Sequence, residues 1–166
     1  RGWVQTQNDL TLRSLRSDAR YTETLADART IVAARDRLPY GNLAGGWVHN
    51  FWQDDKHRRG VWRRARLAEY RDADPHWQAL IDVDALAKKH GQDLSWKGAE
   101  CLPPAFTRCL VQLSKGSSDA ITVHEFDIAT KAFVPGGFVV DYGKTDIGWV
   151  DANTVVADCV AGFESC

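Results

Sequence analysis

Hydrophobic positions along this chain change their rhythm near residue 41. Before it, in "RYTETLADARTIVAARDRL", Tyr21, Leu25, Ala28 and Val32 fall at i, i+4, i+7 and i+11. That spacing marks one stripe of an α-helix, with Arg20, Glu23, Asp27 and Arg29 elsewhere on the wheel. Ser17 or Asp18 is the expected cap, and Pro39 with Gly41 the expected stop. A helix from about Val4 to Leu15, with weaker periodicity, is expected before it. After Gly41 the pattern turns to short β-branched or aromatic runs: "GGWVHNFWQ", "GVWRRARL", "WQALIDVD", "TRCLVQLS", "DAITVHEFD" and "DIGWVDANTVVAD". Turn formers such as Asp54-Asp55, Gly116-Ser117-Ser118-Asp119 and Gly136-Gly137 separate them, as between strands.

Within these runs the alternation is itself informative. In "AITVHEFD", Ile121, Val123 and Glu125 alternate with Thr122, His124 and Phe126, so both faces carry apolar groups, as in strands of stacked sheets. "DVDALAKKHGQDL", Asp82 to Leu94, interrupts with a short helical turn ended by Gly91, and "LPP" at 102–104 reads as a bend. Trp47, Trp96 and Trp149 recur at intervals of 49 and 53 residues. A faint repeat of that length, built from about four strands, describes propeller blades. The expected fold is mainly β with N-terminal α-helices, divided into a helical segment 1–41, a partial β-propeller 42–156 and a divergent tail 157–166.

Composition narrows the function classes. The 166 residues carry 21 basic and 22 acidic side chains, a net charge of -1, which gives phosphate backbones no general attraction. No run reaches the length of a membrane span. The start, "RGWVQTQNDL", lacks the apolar core and cleavage site of a signal peptide. The chain contains no methionine, so it reads as excerpted or processed at its start. Cys101, Cys109, Cys159 and Cys166 match no zinc-site spacing. So few cysteines in a chain this long argue against a disulfide framework and for buried or incidental thiols.

Candidate chemistry is sparse. The pattern G-x-S-x-G, which places a nucleophilic serine on a sharp elbow, is missing, and "GSSDA" at Gly116 is read as a turn. His49, His57, His76, His90 and His124 form no H-E-x-x-H or His-x-His arrangement. His49 on a strand and His57 in a turn are candidates to meet across a hairpin, but surface histidines are the plainer reading. No phosphate-binding glycine loop occurs. Asp54-Asp55, Asp72/Asp74 and Asp82/Asp84 sit beside turn or cap signals, where aspartate is favoured for local hydrogen bonds. Hence no catalytic, cofactor-binding or metal-binding residue is assigned, and no cofactor is expected.

The most distinctive stretch is "NFWQDDKHRRGVWRRARL", Asn50 to Leu67. Read as a strand, its second half sends Val61, Arg63, Ala65 and Leu67 to one face and Trp62, Arg64 and Arg66 to the other. Arginine interleaved with tryptophan is a feature of single-strand nucleic-acid binders. It equally makes a solvated hairpin whose arginine stems lie on tryptophan. The balanced net charge favours the hairpin.

The longer stretch "NFWQDDKHRRGVWRRARLAEYRDADPHWQALIDVDALAKKHGQDLSWKGAECLPP" resembles the start of the β-propeller in bacterial prolyl oligopeptidase-family serine peptidases. "RCLVQLSKGSSDAITVHEFDIATKAFVPGGF" and the lead-in "ARYTETL" are similar too, collinearly from about Trp3 to Val156. The resemblance implies a seven-bladed propeller over an α/β-hydrolase domain that cleaves short peptides after proline. N-terminal helices would belong with the hydrolase domain. Residues from about 42 would supply two blades and the opening strands of a third. The propeller would act as a gate for peptides. The serine, aspartate and histidine of the family lie in its hydrolase domain, and no position here matches their motifs. After Val156, "ADCVAGFESC" departs from the family pattern, as a shifted reading frame would produce.

The expected function is therefore the non-catalytic gate and scaffold of such a peptidase, inactive alone. Its partners would be the hydrolase domain and, for the whole enzyme, peptides. Neither nucleic acid nor membrane is expected as a partner, and a cytoplasmic location is expected, with a periplasmic one the alternative. About two blades leave sheet edges and faces bare. Self-association, or packing of the helices on the exposed sheet, is expected to cover them. The alternative function is a stand-alone peptide- or carbohydrate-binding β module, using Trp47, Trp52, Trp62 and the arginines.

Overall fold

The computed structural model describes residues 2–34 and 36–159. The chain divides into two compact units, residues 1–37 and 38–166. In the first, α1 (Gly2–Ser17) and α2 (Tyr21–Val32) flank a tight turn. There Tyr21 N–H donates to the Asp18 carbonyl at 3.0 Å. Asp18 does not cap α2. Its carboxylate instead receives the backbone N–H and the guanidinium of Arg20, the N-cap residue. α2 also ends at Val32, well before Pro39, so proline is not what stops it. Neither helix buries a residue: of the apolar stripe, Tyr21 is part-exposed and Leu25, Ala28 and Val32 are exposed.

The second unit is a series of antiparallel sheets. The first has four strands in chain order: β1 (Asn42–Ala44), β2 (Trp47–Trp52), β3 (Val61–Arg66) and β4 (Gln78–Asp82). α3 (Val83–His90) follows, capped by the Asp82 carboxylate on Ala85 N–H and ended by Gly91 at φ 62°. It spans two turns, longer than the single turn expected. The second sheet comprises β5 (Leu94–Cys101), β6 (Arg108–Lys115) and β7 (Ile121–Asp127). β7's far edge is shared by β8 (Ala132–Phe133) and β9 (Val139–Gly143). A last hairpin pairs β10 (Thr145–Asp151) with β11 (Thr154–Cys159). Among the described residues the sheets do not close into a ring: the architecture is mainly β with three α-helices, two blade-like sheets and the opening of a third. Residues 160–166, most of the expected divergent tail, lie outside the described residues.

Two apolar clusters join the sheets. Trp62, Leu80, Ile81, Val83 and Ala87 from the first sheet and α3 meet Cys109, Val111, Leu113 and Phe126 of the second. On the opposite face, Leu110, Ile121 and Val123 meet Ile147 and Trp149 of the last hairpin. β6 and β7 are thus covered on both sides, which the two-faced apolar pattern of β7 predicts for that strand. Each seam carries an aromatic pair. Phe51 stacks on Trp96 with ring centres 5.3 Å apart and planes 8° apart. Phe138 meets Trp149 edge-on at 5.6 Å.

These pairs refine the tryptophan repeat. Trp96 and Trp149 occupy equivalent places, each in the first strand of its sheet beside a register shift. Trp47 opens the second strand of the first sheet, so it is not the third member of the series.

Candidate functional site

Two places concentrate polar and aromatic groups. The first is the β2–β3 hairpin, whose alternation follows the expected faces. Trp62 points into the core, while Arg64 and Arg66 on the same face lie over the Trp47 ring at 4.0 and 4.4 Å. On the other face Arg63 sits between Trp52 and Trp77, 4.6 and 4.2 Å from their centres, and donates to Asn50 Oδ1 at 2.8 Å. Burial pushes the Arg63 guanidinium down to about 10, with Asp54 opposing the shift. Arg64 also donates to Gln78 Oε1 at 2.7 Å. The indole faces are occupied by the protein's own guanidiniums, so this hairpin is a self-stacked structural face rather than an open platform for bases.

The paired aspartates do local work. Asp54 accepts from Lys56 N–H, His57 N–H and the Trp52 indole, with the His57 ring 3.1 Å away. Burial raises its carboxyl, but those hydrogen bonds outweigh it and hold the group at about 2. Asp84 accepts from Arg59 N–H, tying the β2–β3 loop to α3. His49 lies inside β2, tilted against Trp62 with ring centres 5.5 Å apart. It is buried, contrary to the surface reading. His57 is held in the Asp54 turn, so the two histidines serve separate structures. Among the described residues no group of three or more His, Cys, Asp or Glu is placed to hold a metal ion.

The second place is the seam between the first two sheets, where β1 and β2 face β5 across a cavity of about 350 Å³. Phe51, Trp62, Trp96 and Cys101 line it together with His49, Asn50 and Glu100. Beside it runs the 102–108 loop, which contains the cis Pro103–Pro104 bond. This loop reaches all three sheets. The Phe106 ring lies against Gly45, where a Cβ would stand 3.3 Å from it. The Thr107 carbonyl accepts from Ile128 N–H at 2.8 Å. Arg108 at its end pairs with Glu125, donates to the Ala152 carbonyl at 2.7 Å and lies over the Trp149 ring.

Two features here escape the sequence reading. Cys101 and Cys109 form a disulfide, correcting the expectation of unpaired thiols. Neither spacing nor composition marks it, because the two residues meet only once β5 and β6 are in register, with Cys101 opposite Cys109. Glu125, only 2% exposed, is the other. Its carboxylate takes Arg108 Nε at 2.5 Å and Phe138 N–H at 3.0 Å. The bond from Arg108 is the main cause that lowers its pKa, against burial. A lone glutamate within a two-faced apolar strand was the available signal.

Blade-like four-stranded sheets stacked face to face are the units of a propeller. Residues 1–156 match the family described as the prolyl oligopeptidase N-terminal beta-propeller domain, and the chain belongs to that family. It is 46% identical over 154 residues to an uncharacterized peptidase of Sinorhizobium fredii, covering 92% of this chain and 21% of that protein. To an uncharacterized peptidase of Rickettsia prowazekii it is 30% identical over 162 residues, covering 93% of this chain and 22% of the relative. The structure of a post-proline cleaving enzyme from Rickettsia typhi superposes with a TM-score of 0.84 at 30% identity. That match covers 96% of this chain and 24% of the other. The chain thus spans about a fifth of the length of the curated relatives it matches.

Proposed function

We propose that this chain is the gate and scaffold side of a prolyl oligopeptidase-like serine peptidase. In this reading its sheets form part of a propeller wall that admits short peptides and keeps folded proteins out. Hydrolysis after proline is carried out by a separate α/β-hydrolase domain, the chain's partner. The observation that carries the reading is the family match across residues 1–156, taken with blade-like sheets whose edges are left to be continued. The self-stacked arginines of the β2–β3 hairpin support it over a nucleic-acid role, since their aromatic partners are already occupied.

The test has two arms. The purified chain, given a chromogenic proline-containing peptide, is expected to release no chromophore. Co-expressed with the Sinorhizobium fredii peptidase lacking its matching segment, it is expected to restore turnover. Hydrolysis by the chain alone would overturn the reading, as would failure to restore turnover when the two pieces co-purify.

A further inference from the structure

The bridge between Cys101 and Cys109 differs sharply in access at its two ends. Their Cα atoms are 3.9 Å apart. The next rung outward, Leu102 N–H to the Arg108 carbonyl at 2.9 Å, makes this a non-hydrogen-bonded pair. Cys109 has no exposed surface and sits in the core between the first two sheets. Cys101 is part-exposed and lines the 350 Å³ cavity beside Glu100. That space is many times what a single water needs and admits a small organic thiol.

We propose that Cys101 is a modification site, at which a low-molecular-weight thiol entering this cavity exchanges with the bridge. The thiolate attacks Sγ of Cys101, and the bond to Sγ of Cys109 breaks. The electron pair leaves with Cys109, which takes a proton from water. One disulfide and one thiol are present before and after, so no oxidant is needed. The product is a mixed disulfide on Cys101 and a free thiol on Cys109. Burial dictates this direction, because the incoming sulfur has no path to Cys109. Opening the bridge frees the 102–108 loop, whose contacts to Gly45, Ile128, Glu125 and Ala152 join the three sheets.

The experiment treats the wild-type chain with cysteamine or with mercaptoacetate at low salt, then quenches it and maps each cysteine by peptide mass spectrometry. Each thiol's rate is normalised to its rate on an unstructured disulfide peptide. The expected result is the adduct on Cys101 and a free Cys109 with either thiol. Amide hydrogen exchange should rise in 102–108 and 149–153. An Ala44→Phe variant, which narrows the cavity, should slow the exchange without removing the bridge. Adduct on Cys109, an absent bridge in the purified chain, or unchanged amide exchange after opening would each overturn the proposal.

Discussion

Buried polar side chains set how single residues in this chain respond to their surroundings. His49 is pushed down to about 4, by burial first and by the Arg64 charge second. In the unfolded chain it titrates near 6.5. Between these values the unfolded state holds the extra proton, so acid favours unfolding. The stabilising contribution is complete above pH 6.5 and lost progressively as pH falls towards 4, by about 3 kcal/mol in all. Urea unfolding at a series of pH values should show that slope, and His49→Phe should flatten it. Ser114 gives a prediction of opposite sign. It is fully buried and its hydroxyl has no hydrogen-bond partner among the described residues. Ser114→Ala removes an unpaired polar group at little cost in packing, so it should stabilise the fold by about 1 kcal/mol. A lower thermal midpoint for this variant would contradict that.

At the scale of elements, the seams between sheets are the vulnerable points. Gly60, at φ +99°, lies where a Cβ would come within 2.1 Å of the Phe51 ring. Gly60→Ala would therefore force Phe51 off Trp96 while straining the backbone, at a cost of about 3 kcal/mol. The checks are the unfolding midpoint and the near-ultraviolet dichroism of the stacked rings. Element scale is also where the sequence was most and least readable. Strands with regular alternation or dense β-branching, such as β3, β6 and β7, are plain in it. β1 has only three residues, too few to show a period. β5 carries a register shift between Trp96 and Gly98 that breaks its alternation. β8 and β9 are separated by the turn at Gly136, so neither reads as a strand by itself. The cavity and the disulfide depend on β5 lying in register with β6 and opposite β2, a long-range fact that no local pattern encodes. For the arginines the opposite holds. Period-two geometry alone placed Arg63 on one face and Arg64 and Arg66 on the other.

Taken as a whole molecule, the second unit has unequal ends. Among the described residues β11 pairs with β10 alone, and Val150 and Val156 are 62% and 61% exposed. A bare strand edge beside exposed valines is a template for pairing with another chain. The isolated chain should therefore self-associate, with a weight-average mass by light scattering that rises with concentration. Val156→Lys should reduce that rise without altering the circular dichroism. A wild-type chain that stays monomeric throughout would count against open-edge pairing.

The second sheet, covered on both faces, has a mechanical consequence. Hydrophobic contacts on two sides mean that it can come apart only after at least one neighbour has left, whereas the β10–β11 hairpin has one side to lose. Held between an anchored surface and a probe at its two termini, the chain should lengthen in steps. Among the sheets, the β10–β11 hairpin should yield first under the weakest pull, and β6 and β7 should give the last and highest peak of force.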